Sequence, residues 1–261
     1  MQRTWFPLIP LQAGLLLGAL VGLPTSGLSA QLVELHVPVE EGAGFVRTSR
    51  QVQEVSGPGT SSTTELRWTV GIRVAELRGD GSGTLHFTVD SLVTEDAGMM
   101  DSLAATWLGT TMHVPFESGG TLDLSGWSNP DLDDERAFLE ALRFAETLGP
   151  LGHAAGLPRG IPPALRVGES FRSPRGARIP LPFDLTLEAV EETDGRRVAR
   201  IRLESSGTDR HGRSHDATGY LRIDLDTQRL VEWDLTQRVT IEDSRGVRMS
   251  NIREERVVPR E

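Results

Sequence analysis

The first candidates for chemistry in this chain are two histidines four residues apart, in His211-Gly212-Arg213-Ser214-His215-Asp216, with Asp209 beside them. On a helix that spacing puts both imidazoles on one face, where they suit a metal ion. Gly207, Gly212 and Gly219 bracket the run and strand patterns flank it, and the glutamate of the zincin motif is missing. Solvated histidines in a hairpin are therefore the expectation, with no metal. His36, His86, His113 and His153 are scattered, without a visible partner. Gly168-Glu169-Ser170-Phe171 and Gly81-Ser82-Gly83 both fall short of the Gly-x-Ser-x-Gly elbow of serine hydrolases. Asp131, Asp133 and Asp134 lack the glycine and the later glutamate of a calcium loop, and acids at a helix start already have an electrostatic reason.

Composition removes further chemistry. The 261 residues include no cysteine, and all 27 basic residues are arginine, which excludes thiolate nucleophiles, disulfides, lysine Schiff bases and the Walker lysine together. With 37 acidic side chains and a formal charge of −10, the chain repels a phosphate backbone, so no nucleic-acid partner is expected, and no cofactor either.

Residues 1–30 read as a secretory signal peptide. Arg3 precedes the uncharged, Leu-rich run from Phe6 to Leu23, and small residues follow, with a cut after Ser29 or Ala30. A retained anchor is the alternative, although Pro7 and Pro10 weaken such a helix. An uncleaved segment of this kind is the one membrane contact expected. The remainder, 31–261, is expected to be a single β-rich domain in the periplasm or outside the cell. At that size it can bury on the order of 70% of its unfolded surface and stand without disulfides.

The elements that must position any site are mostly strands. Leu66, Trp68, Val70, Ile72 and Val74 alternate with Arg67, Thr69, Gly71 and Arg73, and the run breaks at Arg78-Gly79-Asp80-Gly81 before Leu85, Phe87 and Val89 resume it, which predicts an antiparallel hairpin. The C-terminal third repeats this style in Leu185–Val190, Val198–Leu203, Tyr220–Leu225, Leu230–Ile241 and Val247–Val257, with turns at 194–195, 226–228 and 244–246. Between them, Asn129-Pro130-Asp131 starts a helix whose apolar face is Phe138, Leu139, Leu142, Ala145 and Leu148. Beyond Gly149-Pro150, a proline-rich stretch reads as an extended strap laid on the sheet or as an interdomain linker. Leu157, Ile161, Leu165, Val167, Phe171 and Ile179 favour the strap, being too apolar for water. The expected fold is mainly β (α+β): a curved antiparallel sheet or half-barrel with one main central helix and a Pro-rich strap. Two sheet halves, 31–128 and 182–261, would flank the helix and strap of 129–181. Gly109–Leu122 and Gly219–Leu230 share a glycine, strand, turn, strand order, which raises an internal duplication.

Pro162-Pro163-Ala164-Leu165-Arg166-Val167-Gly168-Glu169-Ser170-Phe171, together with that order of elements, resembles exported bacterial β-rich proteins of the lipoprotein-carrier (LolA/LolB-like) architecture. Those proteins carry a proline followed by V-G-E/D-S/T-W, and here Phe171 stands for the tryptophan. The resemblance covers roughly residues 60 to 245. It implies a curved sheet closed on one side around an apolar cavity, and it assigns no functional residue.

The apolar residues are then the candidate functional surface. Trp68, Phe87, Trp107, Met112, Phe116, Trp127, Phe183 and Trp233 share a strand phase or border one, and they form either a filled core or the lining of a ligand cavity. The function expected is a non-enzymatic exported protein that carries or senses an apolar, lipid-like ligand in the cell envelope. A module binding another envelope protein is the alternative, and a metal-independent hydrolase the third.

Overall fold

The computed structural model describes residues 32–94, 108–123, 126–128, 153–157, 160–173, 182–209 and 212–260. They belong to one compact unit, residues 31–261. Residues 1–30, where a signal peptide is expected, the helix expected from Asn129, and Trp107, Ile179 and His211 lie outside the described residues. Among the described residues there is no α-helix, and so no helix long and apolar enough to cross a membrane.

Among the described residues the chain is built on an open ten-stranded sheet whose neighbouring strands all pair antiparallel. Its N-terminal strands are β2 (Gly44–Gly57), β3 (Thr60–Leu77), β4 (Gly83–Thr94) and β5 (Thr111–Phe116), after the short β1 (Leu32–Glu34). Two short strands follow, β6 (Ala164–Arg166) and β7 (Ser170–Arg172). A meander closes the chain: β8 (Asp184–Thr193), β9 (Arg196–Thr208), β10 (Ser214–Asp224), β11 (Arg229–Glu242) and β12 (Arg248–Pro259). The order across the sheet is β5-β4-β3-β2-β12-β11-β10-β9-β8-β7, while β1 and β6 pair separately.

Local chemistry explains the hairpins. In β3 the buried Trp68, Val70, Ile72 and Val74 alternate with half-exposed or exposed Thr69 and Arg73, the pattern of a strand with one covered face. The turn after it is closed by Asp80, whose Oδ1 accepts hydrogen bonds from the Ser82 backbone N–H at 2.9 Å and from Ser82 Oγ at 2.7 Å. At the β8–β9 turn Asp194 and Gly195 both take positive φ, 52° and 73°, the geometry that matches a two-residue turn to the strand twist. Gly219 allows a close approach inside β10, where a Cβ would lie 2.1 Å from the Asp234 carbonyl oxygen of β11.

The two strand-rich regions meet in one sheet because the last strand returns to the first long one. β12 pairs with β2 over their full lengths, from Arg248 opposite Ser56 to Pro259 opposite Phe45. Leu157 and Leu165 of the proline-rich stretch are buried in the same core, and Ile161 and Phe171 pack against it. Val167 is exposed instead, contrary to the expectation drawn from its hydrophobicity, because it sits in the turn between β6 and β7 that Gly168 completes at φ 84°. Both segments of the suggested internal duplication turn back antiparallel: Gly219–Leu230 forms most of a regular hairpin, and β5 is met by bridges from Leu122 to Phe116 and from Ser128 to His113.

Candidate functional site

Directly paired residues of antiparallel strands point to the same side, so the register divides each strand between two faces. On the inner face, one cross-strand row runs Met112, Phe87, Ile72, Phe45. The next runs Val70, Arg47, Val257, Trp233, Leu221, Ile201, Leu187. Six of the eight candidate residues, Trp68, Phe87, Met112, Phe116, Phe183 and Trp233, are no more than 5% exposed and belong to one core. Trp127 packs against it.

That core contains a polar cluster. Arg47, in the row of Trp233, and Glu255, in the row next to it, form an ion pair with both side chains 1% exposed. Arg253 reaches the same carboxylate through Nε at 2.5 Å and lies over the Trp68 ring, 5.5 Å from its centroid. Burial pulls the Arg47 guanidinium down to about 10, against the attraction of Glu255, so it stays charged at neutral pH. Ser49 Oγ, Trp233 Nε1 and Glu255 Oε2 are buried here without a hydrogen-bond partner.

Beyond this cluster the same face changes character. The rows Leu66, Gln51, Arg253, Gln237 and Gln53, Asn251, Val239 are half-buried, and the row Val55, Met249, Ile241 ends with Met249 40% and Ile241 41% exposed. The inner face is thus packed at one end and half-open at the other, with Trp68, Arg253, Glu255 and Arg47 on the boundary. The opposite face carries arginine–carboxylate pairs, among them Arg202 with Glu188 at 2.9 Å, Arg256 with Glu232 at 2.7 Å, and Arg50 with Glu65 at 2.9 Å. Hydrogen bonds from Arg50 and Arg67 hold Glu65 at about 2.

His86, His113, His153 and His215 are partly or fully buried among other side chains. His215 is not the solvated hairpin residue expected. It is buried on the inner face of β10 and its Nε2 lies 3.1 Å from Asp209 Oδ2, an oxygen also held by Arg213 Nε at 2.6 Å. Among the described residues no group of three or more His, Asp or Glu is arranged to hold a metal. His86 and His113 are a direct cross-strand pair, stacked with ring centroids 4.2 Å apart.

Burial, with His113 and Arg73 nearby, holds the His86 imidazole below its usual range, and burial does the same to His153. Both groups resist protonation when folded. Their contribution to stability is therefore complete above the unfolded value near 6.5 and is lost as pH falls from there through the folded values. The urea midpoint should hold steady from about pH 8 to 7 and drop between about pH 6.5 and 5. The double substitution His86→Gln with His153→Gln should flatten that drop, and an undiminished slope in the variant would refute the assignment.

The boundary cluster was not found from sequence. Arg47 and Glu255 are 208 residues apart, and neither interrupts an otherwise apolar run in a way that marks it as buried. The available signal was phase alone: Phe45 and Val257 are apolar two positions from Arg47 and Glu255.

No protein-family model matches this chain, and no curated protein matches it. Among solved structures, one concerned with lipid–protein interactions in lipovitellin aligns with 85% of this chain and 25% of that one, at 8% identity and a TM-score of 0.52. The chain spans about a quarter of that protein's length, and the likeness is one of fold. A DUF1329 family protein from Desulfovibrio piger aligns with 80% of this chain and 83% of that chain at 14% identity, with a TM-score of 0.18. A domain assigned to outer membrane lipoprotein sorting, from Vibrio parahaemolyticus, aligns with 80% and 82% at 11% identity, with a TM-score of 0.20. Superpositions that loose carry no argument about this chain.

Proposed function

We propose that this chain is a non-enzymatic, exported binding protein of the cell envelope that carries or senses an apolar, lipid-like ligand on the inner face of its sheet. One observation carries the reading: a single sheet face is apolar and packed at one end, crossed by the Arg47–Glu255–Arg253 cluster, and half-open at the other end, where Leu66, Leu92, Val239, Met249 and Ile241 remain partly accessible. A ligand laid there removes apolar surface from water, at roughly 25 cal/mol per Å² buried. Trp68 stands at the inner limit of that space, and Phe87, Met112, Phe116, Phe183 and Trp233 form the packed wall behind it. The curvature of a half-barrel, implied by the family resemblance and by the twist of long strands, would deepen the half-open end into a trough. The lipovitellin structure, which concerns lipid–protein interactions, supports the reading through its shared sheet architecture. Export rests on the character of residues 1–30.

The test is direct. Full-length protein extracted with organic solvent should release lipid in stoichiometric amount, or the delipidated protein should bind a fluorescent fatty-acid probe saturably. Replacing Met249 and Ile241 together by serine should weaken probe binding several-fold while leaving the melting temperature nearly unchanged, since both side chains are exposed. Protein that is both empty and blind to the probe would overturn the function.

A further inference from the structure

The half-open end of the inner face has an unusual division of its polar side chains. In the strand segments that form it, the acids Glu54, Glu65, Glu204, Asp216, Glu242 and Glu254 all occupy the opposite face. The inner positions hold carboxamides instead. Gln51 and Gln237 are the direct cross-strand neighbours of Arg253 on β2 and β11, and Asn251 follows two residues along β12. All four side chains are half-buried. Arg253 is 13% exposed, is steadied by Glu255 at 2.5 Å and lies over Trp68. In a chain of net charge −10, this face presents a guanidinium among neutral amide donors, and the carboxylates that reach this side, Glu255 and Asp209, are buried against Arg253 and His215 rather than exposed.

Such a surface suits an oxyanion. A guanidinium offers planar, weakly hydrated donors that fit carboxylate or phosphate oxygens, and partial burial strengthens each charge-assisted hydrogen bond. Primary amides supply further N–H donors without adding charge. The apolar row Val55, Met249, Ile241 lies two rows farther along the same face. A polar head at Arg253 would therefore leave its tail running over that row, toward the exposed end.

We propose that Arg253, with Gln51, Gln237 and Asn251, binds the anionic oxygen head of an amphiphile, a phosphate or carboxylate, while its alkyl chain covers Val239, Met249 and Ile241. This rests on the apolar-ligand reading above and adds the chemical class of the ligand. Arg253 selects the head; the apolar row retains the chain.

Isothermal titration of the full-length protein with dodecyl phosphate, dodecanol and inorganic phosphate separates the alternatives. Dodecyl phosphate should bind at least about tenfold more tightly than dodecanol, and raised salt should shrink the difference. Arg253→Gln should abolish that advantage and leave dodecanol binding unchanged. Because Arg253 also contacts Glu255, Gln237→Leu serves as a second variant that breaks no ion pair, and it should reduce dodecyl phosphate binding several-fold with an unaltered melting temperature. Equal binding of dodecyl phosphate and dodecanol, insensitive to both substitutions, would overturn the head-group site while the apolar-ligand function stands. Inorganic phosphate binding as tightly as dodecyl phosphate would overturn the amphiphile assignment. Failure of both dodecyl ligands to bind would overturn the proposal together with the function it deepens.

Discussion

Replacing Glu255 by leucine should destabilise the protein by about 3–5 kcal/mol, because it removes a carboxylate to which both Arg47 and Arg253 are joined and takes from the buried Arg47 guanidinium the counter-charge of this ion pair. The cost comes from desolvation: a charge 1% exposed has given up its water and depends on its counter-ion. Arg47→Met should cost less, since Glu255 would keep Arg253 beside it. Combining Arg47→Met with Glu255→Leu should recover most of the loss, because two well-packed apolar side chains replace a buried pair whose attraction barely exceeds its desolvation. Urea unfolding of the three variants gives the coupling directly. Additive effects, with the double variant as unstable as the sum, would show that the two side chains do not act as a pair.

Trp233→Ala should cost a similar amount, about 3–5 kcal/mol, through lost apolar burial and the cavity left behind. Trp233 is fully buried on β11, directly opposite Leu221 on β10 and Val257 on β12, so neighbours on both sides lose their packing partner at once. Trp233→Phe separates two contributions. It removes part of the ring volume but also removes an indole N–H that is buried without a partner, and relief of that unsatisfied donor offsets some of the loss. The phenylalanine variant should therefore lie much nearer the native protein than the alanine one in denaturant midpoint. If the two were equally destabilised, the indole N–H would be making a hydrogen bond that stabilises the fold.

Much of this architecture could be read from the chain alone. The hairpin of β3 and β4 and the five-strand meander from β8 to β12 follow from apolar residues recurring at every second position, with Asp-Gly and Ser-Arg-Gly turns between them. That period is a local property, set by the alternation of side chains across a pleated strand, and it holds whatever the strand later pairs with. The inward placement of Trp68, Phe87, Met112, Phe116 and Trp233 was legible for the same reason.

The strand β2 and all that depends on it were not. Its inner phase reads Phe45, Arg47, Ser49, Gln51, Gln53, Val55, a series that is apolar only at its two ends. What makes it a central strand is its place between β3 and β12, where backbone pairing on both edges and covered neighbours outweigh its weak local signal. The register of β2 on β12 also brings Arg47 to Glu255 and sets Gln51 beside Arg253. Alternation tells which side of a strand a residue faces; it carries no information about which distant strand lies alongside. The amino-acid order thus determined the β3–β4 hairpin, the C-terminal meander, their turns and the apolar phase, while tertiary pairing alone decided β2, the boundary cluster and the half-open face, because these are made by side chains that the β2–β12 register brings together from some two hundred residues apart.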